Sequence, residues 1–202
     1  SAEKKMRQEK VRTFHDQQIH QQLEITAGYI VRDEAEVLAR SLESIQGQVD
    51  EIVVVDTGSV DESVAVAQRF GARIIHHPWQ DDFAEARNTA LAAAKGHWIV
   101  FLDADEYFTE ETRGNLRQVI AGQHEAQLLL LSMKNIDIDT GKVLLDFYAP
   151  RIFRRAQGRL YVGSIHEQLR QDGGLVQPVQ KVRSGELQLL HTGYSVRLEH
   201  QK

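Results

Sequence analysis

The sequence predicts an α/β protein built on a mixed, mainly parallel sheet flanked by helices, followed by a loop-rich second half. Three observations carry this expectation. From Leu23 onward, strand-like and helix-like segments alternate in a βαβαβαβ rhythm. Two of the strand candidates, Glu51 to Asp56 (EIVVVD) and Trp98 to Leu102, are continuous apolar runs rather than alternating ones, as expected of strands covered on both faces. Both runs give way to acidic residues at their carboxyl ends, where open α/β sheets bind their ligands.

The elements follow in order. Residues 1–22 are charged and rich in glutamine, with Met6, Val11, Phe14 and Ile19 loosely spaced, which reads as an exposed or docking helix or as frayed disorder. Leu23 to Val31 is β-rich, and Glu34 to Gln46 sets Val37, Leu38, Ser41, Leu42 and Ile45 on one helical face. After the strand Glu51 to Asp56, Val60 to Phe70 reads as a helix stopped by Gly71, and Arg73 to His76 as a short strand. Asp82 to Lys95 is an alanine-rich helix closed by Gly96, and Trp98 to Leu102 runs into Asp103-Ala104-Asp105-Glu106. Beyond it, Thr109 can cap a helix reaching Ala121. Gln127 to Met133 and Lys142 to Phe147 form a hairpin about a turn at Asp137 to Gly141. Pro150 to Arg155, Leu160 to Val162 and Glu186 to Leu190 are further short strands.

Composition narrows the function. With 24 Lys+Arg against 29 Asp+Glu the net charge is −5, which excludes a simple basic nucleic-acid binder. The absence of cysteine excludes disulfides, thiolate catalysis and cysteine zinc sites. No apolar run approaches the roughly 18–20 residues that cross a bilayer, so a cytoplasmic protein is expected, free or at the cytoplasmic face of the membrane.

Two strand-end acids stand out. Asp56 leads into Thr57-Gly58-Ser59, where a tight turn exposes backbone donors beside a carboxylate able to accept from a nucleobase N–H; it is equally placed to cap the following helix. Asp103 and Asp105 lie two residues apart just past a buried strand, where they can share a hard divalent cation with a diphosphate or simply form an acidic turn. Glu106 reads as support for that loop. Asp82 is a good N-cap, and Arg87 lies a turn further in, placed either for phosphate or for an acidic loop. His166-Glu167 and His191-x-Gly193-Tyr194 supply a general base and a metal ligand type. His76-His77, ahead of Pro78, reads as a strand exit.

Taken together, ITAGYIVRDEAEVLARSLESI, EIVVVDTGSVDES, HHPWQDDFAEARNTAL and GHWIVFLDADEYF resemble glycosyltransferase family 2, whose members adopt the Rossmann-like GT-A fold. The later PRIFRR, GSIHEQL and LLHTGYS resemble the bacterial branch often fused to tetratricopeptide repeats. The resemblance runs from Leu23 to Ser195 and implies one domain over 23–202, with a nucleotide-binding half (23–108) and an acceptor-side half (109–202).

It further implies a nucleoside-diphosphate sugar donor, uridine in the first instance, whose base meets Asp56 with Val31, Asp33 and Glu34 lining the same pocket. Arg87 would lie near the nucleotide or diphosphate and Asp103 near the ribose or the metal. Asp105, beyond Ala104, would coordinate manganese or magnesium, with His191 completing the site. Glu167 is the base so implied, with Asp137 and Asp139 behind it. The reaction would be a metal-dependent, inverting transfer of a hexose to an acceptor hydroxyl on a bacterial surface glycan, lipid-linked sugar, protein or peptide. A non-catalytic nucleotide-sugar-binding module is the alternative, and a sugar-phosphate nucleotidyltransferase ranks below it because Val31-Arg32-Asp33-Glu34 is no glycine-rich basic loop. Two departures from the family are Asp33 where relatives usually carry asparagine and Val60 where they often carry threonine.

Overall fold

The structure, a computed structural model, describes residues 2–193. Helix α1 (Ala2–Gln22) comes first, with the side chains of residues 2–18 exposed. Strands β1 (Ile25–Val31), β2 (Glu51–Asp56), β3 (Arg73–His76) and β4 (Trp98–Phe101) then alternate with helices α2 (Ala35–Ile45), α3 (Ser63–Arg69) and α4 (Phe83–Ala93). Strand β5 (Glu106–Phe108) and helix α5 (Leu116–Ala121) lead into β6 (Leu128–Ile136) and β7 (Val143–Arg154). Strands β8 (Arg159–Val162), β9 (Gln168–Gln171), β10 (Gly174–Leu175), β11 (Val179–Val182) and β12 (Gln188–His191) complete the order.

The main sheet runs β3-β2-β1-β4-β7-β6-β12-β5, with β11 also on β6, and β8, β9 and β10 form a separate small sheet. β1 pairs in parallel with both β2 and β4, so the chain reverses direction across the sheet at β1. The crevice beyond the carboxyl ends of β1 and β4 is therefore a topological switch point, the place where such sheets take ligands.

Strand alternation builds two cores. Ile25, Ala27, Tyr29 and Val31 of β1 join Val54 of β2 and Trp98 and Val100 of β4 under Leu38, Leu42 and Ile45 of α2. Val53, Val55, Ile99 and Phe101 point the other way, against Ala86, Ala90 and Leu91 of α4. Gly28 makes room on that second face: a Cβ there would stand 2.9 Å from the ring of Phe101, its register partner on β4.

The first half follows the sequence expectation closely. The second departs from it in several places: the helix expected from Thr109 becomes α5 only at Leu116, and one further departure has a clear cause. Lys142 to Phe147 and Pro150 to Arg155 are expected as two strands, and β7 instead runs unbroken from Val143 to Arg154. Pro150 pairs with Leu130 where the β6–β7 register shifts, and such an irregularity accommodates a residue without an N–H. The hairpin itself is present, its turn held by Asp137 Oδ1, which accepts from the backbone N–H groups of Asp139 and Thr140. Strands β5, β9, β10 and β11 add to the sequence expectation.

Candidate functional site

At the ends of β1 and β2 two loops brace one another. Asp33, with φ of 52°, accepts from the backbone of Val60 and Asp61 through Oδ1, while its own N–H donates to Ser59 Oγ. In return Asp61 accepts from the Ala35 N–H, and Ser63 Oγ from the Glu34 N–H. Asp61 also accepts from the Ser63 N–H at the start of α3, so Asp61 rather than Asp56 supports that helix. Asp56 instead closes its own turn: Oδ1 accepts from Ser59 N–H at 3.2 Å and Oδ2 lies 3.3 Å from Nδ1 of His76.

The turn after β4 is held from both sides. Arg87, projecting from α4, donates from Nε to Glu167 Oε1 at 2.6 Å and from Nη2 to Asp103 Oδ1 at 3.0 Å. Its guanidinium lies 4.7 Å from the Phe101 ring centroid and 5.5 Å from that of Tyr161, so the Gly28–Phe101 packing continues into the site. From β7, Arg151 donates from Nε and Nη2 to Oε2 and Oε1 of the buried Glu106, at 2.9 and 2.6 Å, and reaches within 3.9 Å of Asp103. Glu106 in turn accepts from the Asp103 N–H. Although burial works the other way, Arg87 and Arg151 hold the Asp103 carboxyl below the usual range. Burial, with Asp103 alongside, pushes Glu106 up against the pull of Arg151.

From the far edge, β12 delivers His191. Its Nε2 is 3.0 Å from Asp105 Oδ2 and its Nδ1 is 3.0 Å from Asn135 Oδ1. Burial lowers the imidazole's affinity for protons, but Asp105 outweighs it and raises it overall. A Cβ on Gly193 would collide with Asp105 Oδ2 and crowd His191, so glycine there keeps this pair open.

These groups enclose a cavity of about 760 Å³ into which Glu34, Arg87, Asp103, Ala104, Asp105, Glu167 and His191 all face. A second depression of about 410 Å³ holds Asp56, His76 and His77, and Arg32, Thr57 and Trp79 line both. Val31 and Asp33 line neither: Val31 is a buried strand end and Asp33 spends Oδ1 on the loop brace. Asp137 and Asp139 also lie away from both hollows, in the β6–β7 turn. Tyr194 and Ser195 lie outside the described residues.

Sequence reasoning gave no role to Arg151, Asn88 or Asn135. Asn88 clamps β8 to α4, donating to the Tyr161 carbonyl and accepting its N–H at 2.9 and 2.8 Å. The available signals were PRIFRR and the Asn that follows Arg87.

The donor set suits a hard cation in kind. Asp105 and His191 present oxygen and nitrogen side by side, although among the described residues no three His, Asp or Glu side chains gather into a set able to hold a metal alone. Burial pushes the Glu34 carboxyl up to about 7, and the neighbouring charges of Asp105 and Asp103 add to the effect, so this end of the cavity is short of positive charge.

Comparison with known proteins places this arrangement. A TPR repeat-containing protein of Synechococcus elongatus is 54% identical over 88 residues, which is 44% of this chain and 22% of that protein. An uncharacterized glycosyltransferase of Rickettsia felis is 32% identical over 54% of this chain and 38% of its own length. The SPbeta prophage-derived glycosyltransferase SunS of Bacillus subtilis is 29% identical over 71% of this chain and 34% of its own. The chain thus spans well under half the length of these relatives. Among solved structures, S. aureus TarS 1-349 superimposes with a TM-score of 0.66 at 17% identity, covering 84% of this chain and 60% of that one. Its complex with UDP-GlcNAc gives 0.50 at 21% identity over 60% and 37%. These likenesses show that the sheet is a GT-A fold. The pattern of glycosyl transferase family 2 matches residues 29–166, which contain the braced loops, Arg87, the Asp103–Asp105 turn and Arg151, and the chain belongs to that family.

Proposed function

We propose that the protein transfers a sugar from a nucleoside-diphosphate donor, UDP-linked in the first instance, to an acceptor hydroxyl with inversion at the anomeric carbon. The observation that carries this reading is the convergence of Glu34, Arg87, Asp103, Asp105, Glu167 and His191 on one cavity at the switch point, adjoining the depression that holds Asp56. The base binds against Asp56, whose carboxylate is already oriented by Ser59 and His76. The diphosphate extends toward Asp105 and His191. Asp105 and His191 would hold manganese or magnesium, which would supply positive charge for the departing diphosphate. Arg87 and Arg151 keep Asp103 ionised and fixed. Glu167, with Oε1 held by Arg87, takes the acceptor hydroxyl proton as its oxygen bonds to the anomeric carbon and the bond to the diphosphate breaks. TarS crystallised with UDP-GlcNAc supports the choice of donor class.

Calorimetric titration of UDP with manganese, then with chelator, tests this reading. Binding should require the cation and weaken by at least about a hundredfold in Asp105→Asn. Binding indifferent to both chelator and variant removes the cation role. Glu167→Gln should keep UDP binding while transfer falls by about 10²–10⁴-fold; unchanged transfer assigns the base elsewhere.

A further inference from the structure

His191 stands in a row of side chains that crosses three strands. On β12 it is the register partner of Asn135 on β6 and of Glu106 on β5. Register partners send their side chains to the same face of a sheet, so the imidazole has an amide on one side and a carboxylate on the other. The carboxylate is taken: both Glu106 oxygens accept from Arg151. The amide meets the ring, with Asn135 Oδ1 3.0 Å from Nδ1 of His191, while Nε2 lies 3.0 Å from Asp105 Oδ2. Asn135 is only 8% exposed, and none of the steps above uses it. The β6–β7 register shifts immediately past it, between Asn135 and Ile136, and irregularities of this kind re-aim side chains beside functional sites.

We propose that Asn135 is a positioning residue for His191: its amide oxygen accepts from Nδ1–H, fixes the ring, and reserves Nε2 for a divalent cation shared with Asp105. A neutral imidazole carries one N–H and one lone pair, and only the lone pair can bind a cation. An amide oxygen has no proton to give, so the nitrogen it meets carries the proton and the lone pair falls to the other. Asp105 alone would favour the reverse, with the proton on Nε2, because a carboxylate is the stronger acceptor. Asn135 offsets that pull, as the partners of ligating histidines do in metal sites generally. This inference rests on the cation role given to Asp105 and His191 in the proposed transfer, and adds the residue that prepares His191 for it.

The test is calorimetric titration of manganese, with UDP present, into the wild type, Asn135→Leu, Asn135→Asp and Asp105→Asn, with thermal unfolding of each. Leucine keeps the shape of asparagine and removes the acceptor, whereas aspartate keeps the acceptor. Asn135→Leu should weaken manganese by about 10–100-fold, and Asn135→Asp should hold it within about threefold even where the added charge lowers the melting temperature. Unchanged manganese affinity in Asn135→Leu overturns the proposal. So does an equal loss in both variants that tracks their loss of stability, because Asn135 then serves only the fold. A second measurement needs no variant at this position: long-range proton–nitrogen NMR of the wild type with magnesium and UDP, the His191 signals identified by their loss in His191→Gln. The proton is expected on Nδ1, and a proton on Nε2 overturns the proposal. Manganese binding lost in Asp105→Asn but indifferent to Asn135→Leu defeats this inference and leaves the cation reading standing. A wild type that binds no manganese defeats the cation reading and this inference with it.

Discussion

The two halves of the main sheet contribute to the cavity in different ways. The parallel half, β1 to β4, delivers acids on the ends of its own strands: Asp56 as the last residue of β2, and Asp103 and Asp105 just past β4. The second half delivers what those acids need: Arg151 from β7, Glu167 from the loop before β9, and His191 from β12. The first half is positioned by local rules, since each strand's end is set by its own apolar run. The second is positioned by pairing across the chain, because β12 lies between β5 and β6. The parallel half presents the carboxylates and holds Asp56 and, through Arg87, part of Asp103, while the partners of Glu106 and Asp105 come from the second half. The links between the halves are therefore where substitutions should cost most.

Arg151→Met is the sharpest break. It leaves Glu106 buried with its guanidinium partner gone and the Asp103 N–H bonded to an uncompensated charge. Denaturant unfolding should show a loss of about 3–5 kcal/mol. Combining it with Glu106→Gln should recover a large part of that loss, because the stranded charge is then gone. A double variant no better than the single would mean that Arg151 acts mainly through Asp103. Asn88→Ala cuts a second link, the pair of hydrogen bonds to the Tyr161 backbone. Its cost should be about 2 kcal/mol by the same measurement. Transfer should fall with it, since β8 leads directly into the loop bearing Glu167.

The same contrast explains what was legible in the sequence. EIVVVD and WIVFL announce strands because both faces are buried, and the acids that follow them announce a site because ligands gather at strand ends. Glycines and N-caps placed the helices between them. That Lys142 to Phe147 and Pro150 to Arg155 form one strand was not legible, because Pro150 sits at a register shift against Leu130, a property of the pairing rather than of the residue. Strands β9 and β11 are too polar, and β10 too short, for a pattern to form. Arg151 acts on Glu106 across 45 residues, Asn88 on Tyr161 across 73 and Asn135 on His191 across 56, and no local spacing encodes such partners. Only the resemblance drew attention to PRIFRR as more than a strand.

Within the parallel half, smaller effects are expected where packing is local. Gly28→Ala puts a methyl group 2.9 Å from the Phe101 ring. The ring has to shift, at about 1–3 kcal/mol. Because Arg87 stacks on that ring, the variant should also weaken the Arg87–Glu167 contact. Unfolding combined with transfer assays on Gly28→Ala, Glu167→Gln and the double variant would reveal this as non-additivity in transfer but not in stability.

The smallest effect separates two ways of reading Asp33. Its departure from the asparagine usual in relatives could alter nucleotide contact or exchange one loop support for another. The structure gives the residue a φ of 52°, a conformation that Asp and Asn tolerate better than other side chains, and uses Oδ1 to accept from Val60 and Asp61. An asparagine keeps both the backbone tolerance and the oxygen. Asp33→Asn should therefore change stability by no more than about 0.5 kcal/mol and leave UDP affinity within about twofold. Asp33→Ala, which loses the acceptor and strains the backbone, should cost about 1–2 kcal/mol. If Asp33→Asn instead shifted UDP affinity strongly while stability held, the carboxylate's charge would be reaching the nucleotide from outside both cavities. The brace between the β1 and β2 loops would then belong to the binding site as well as to the scaffold.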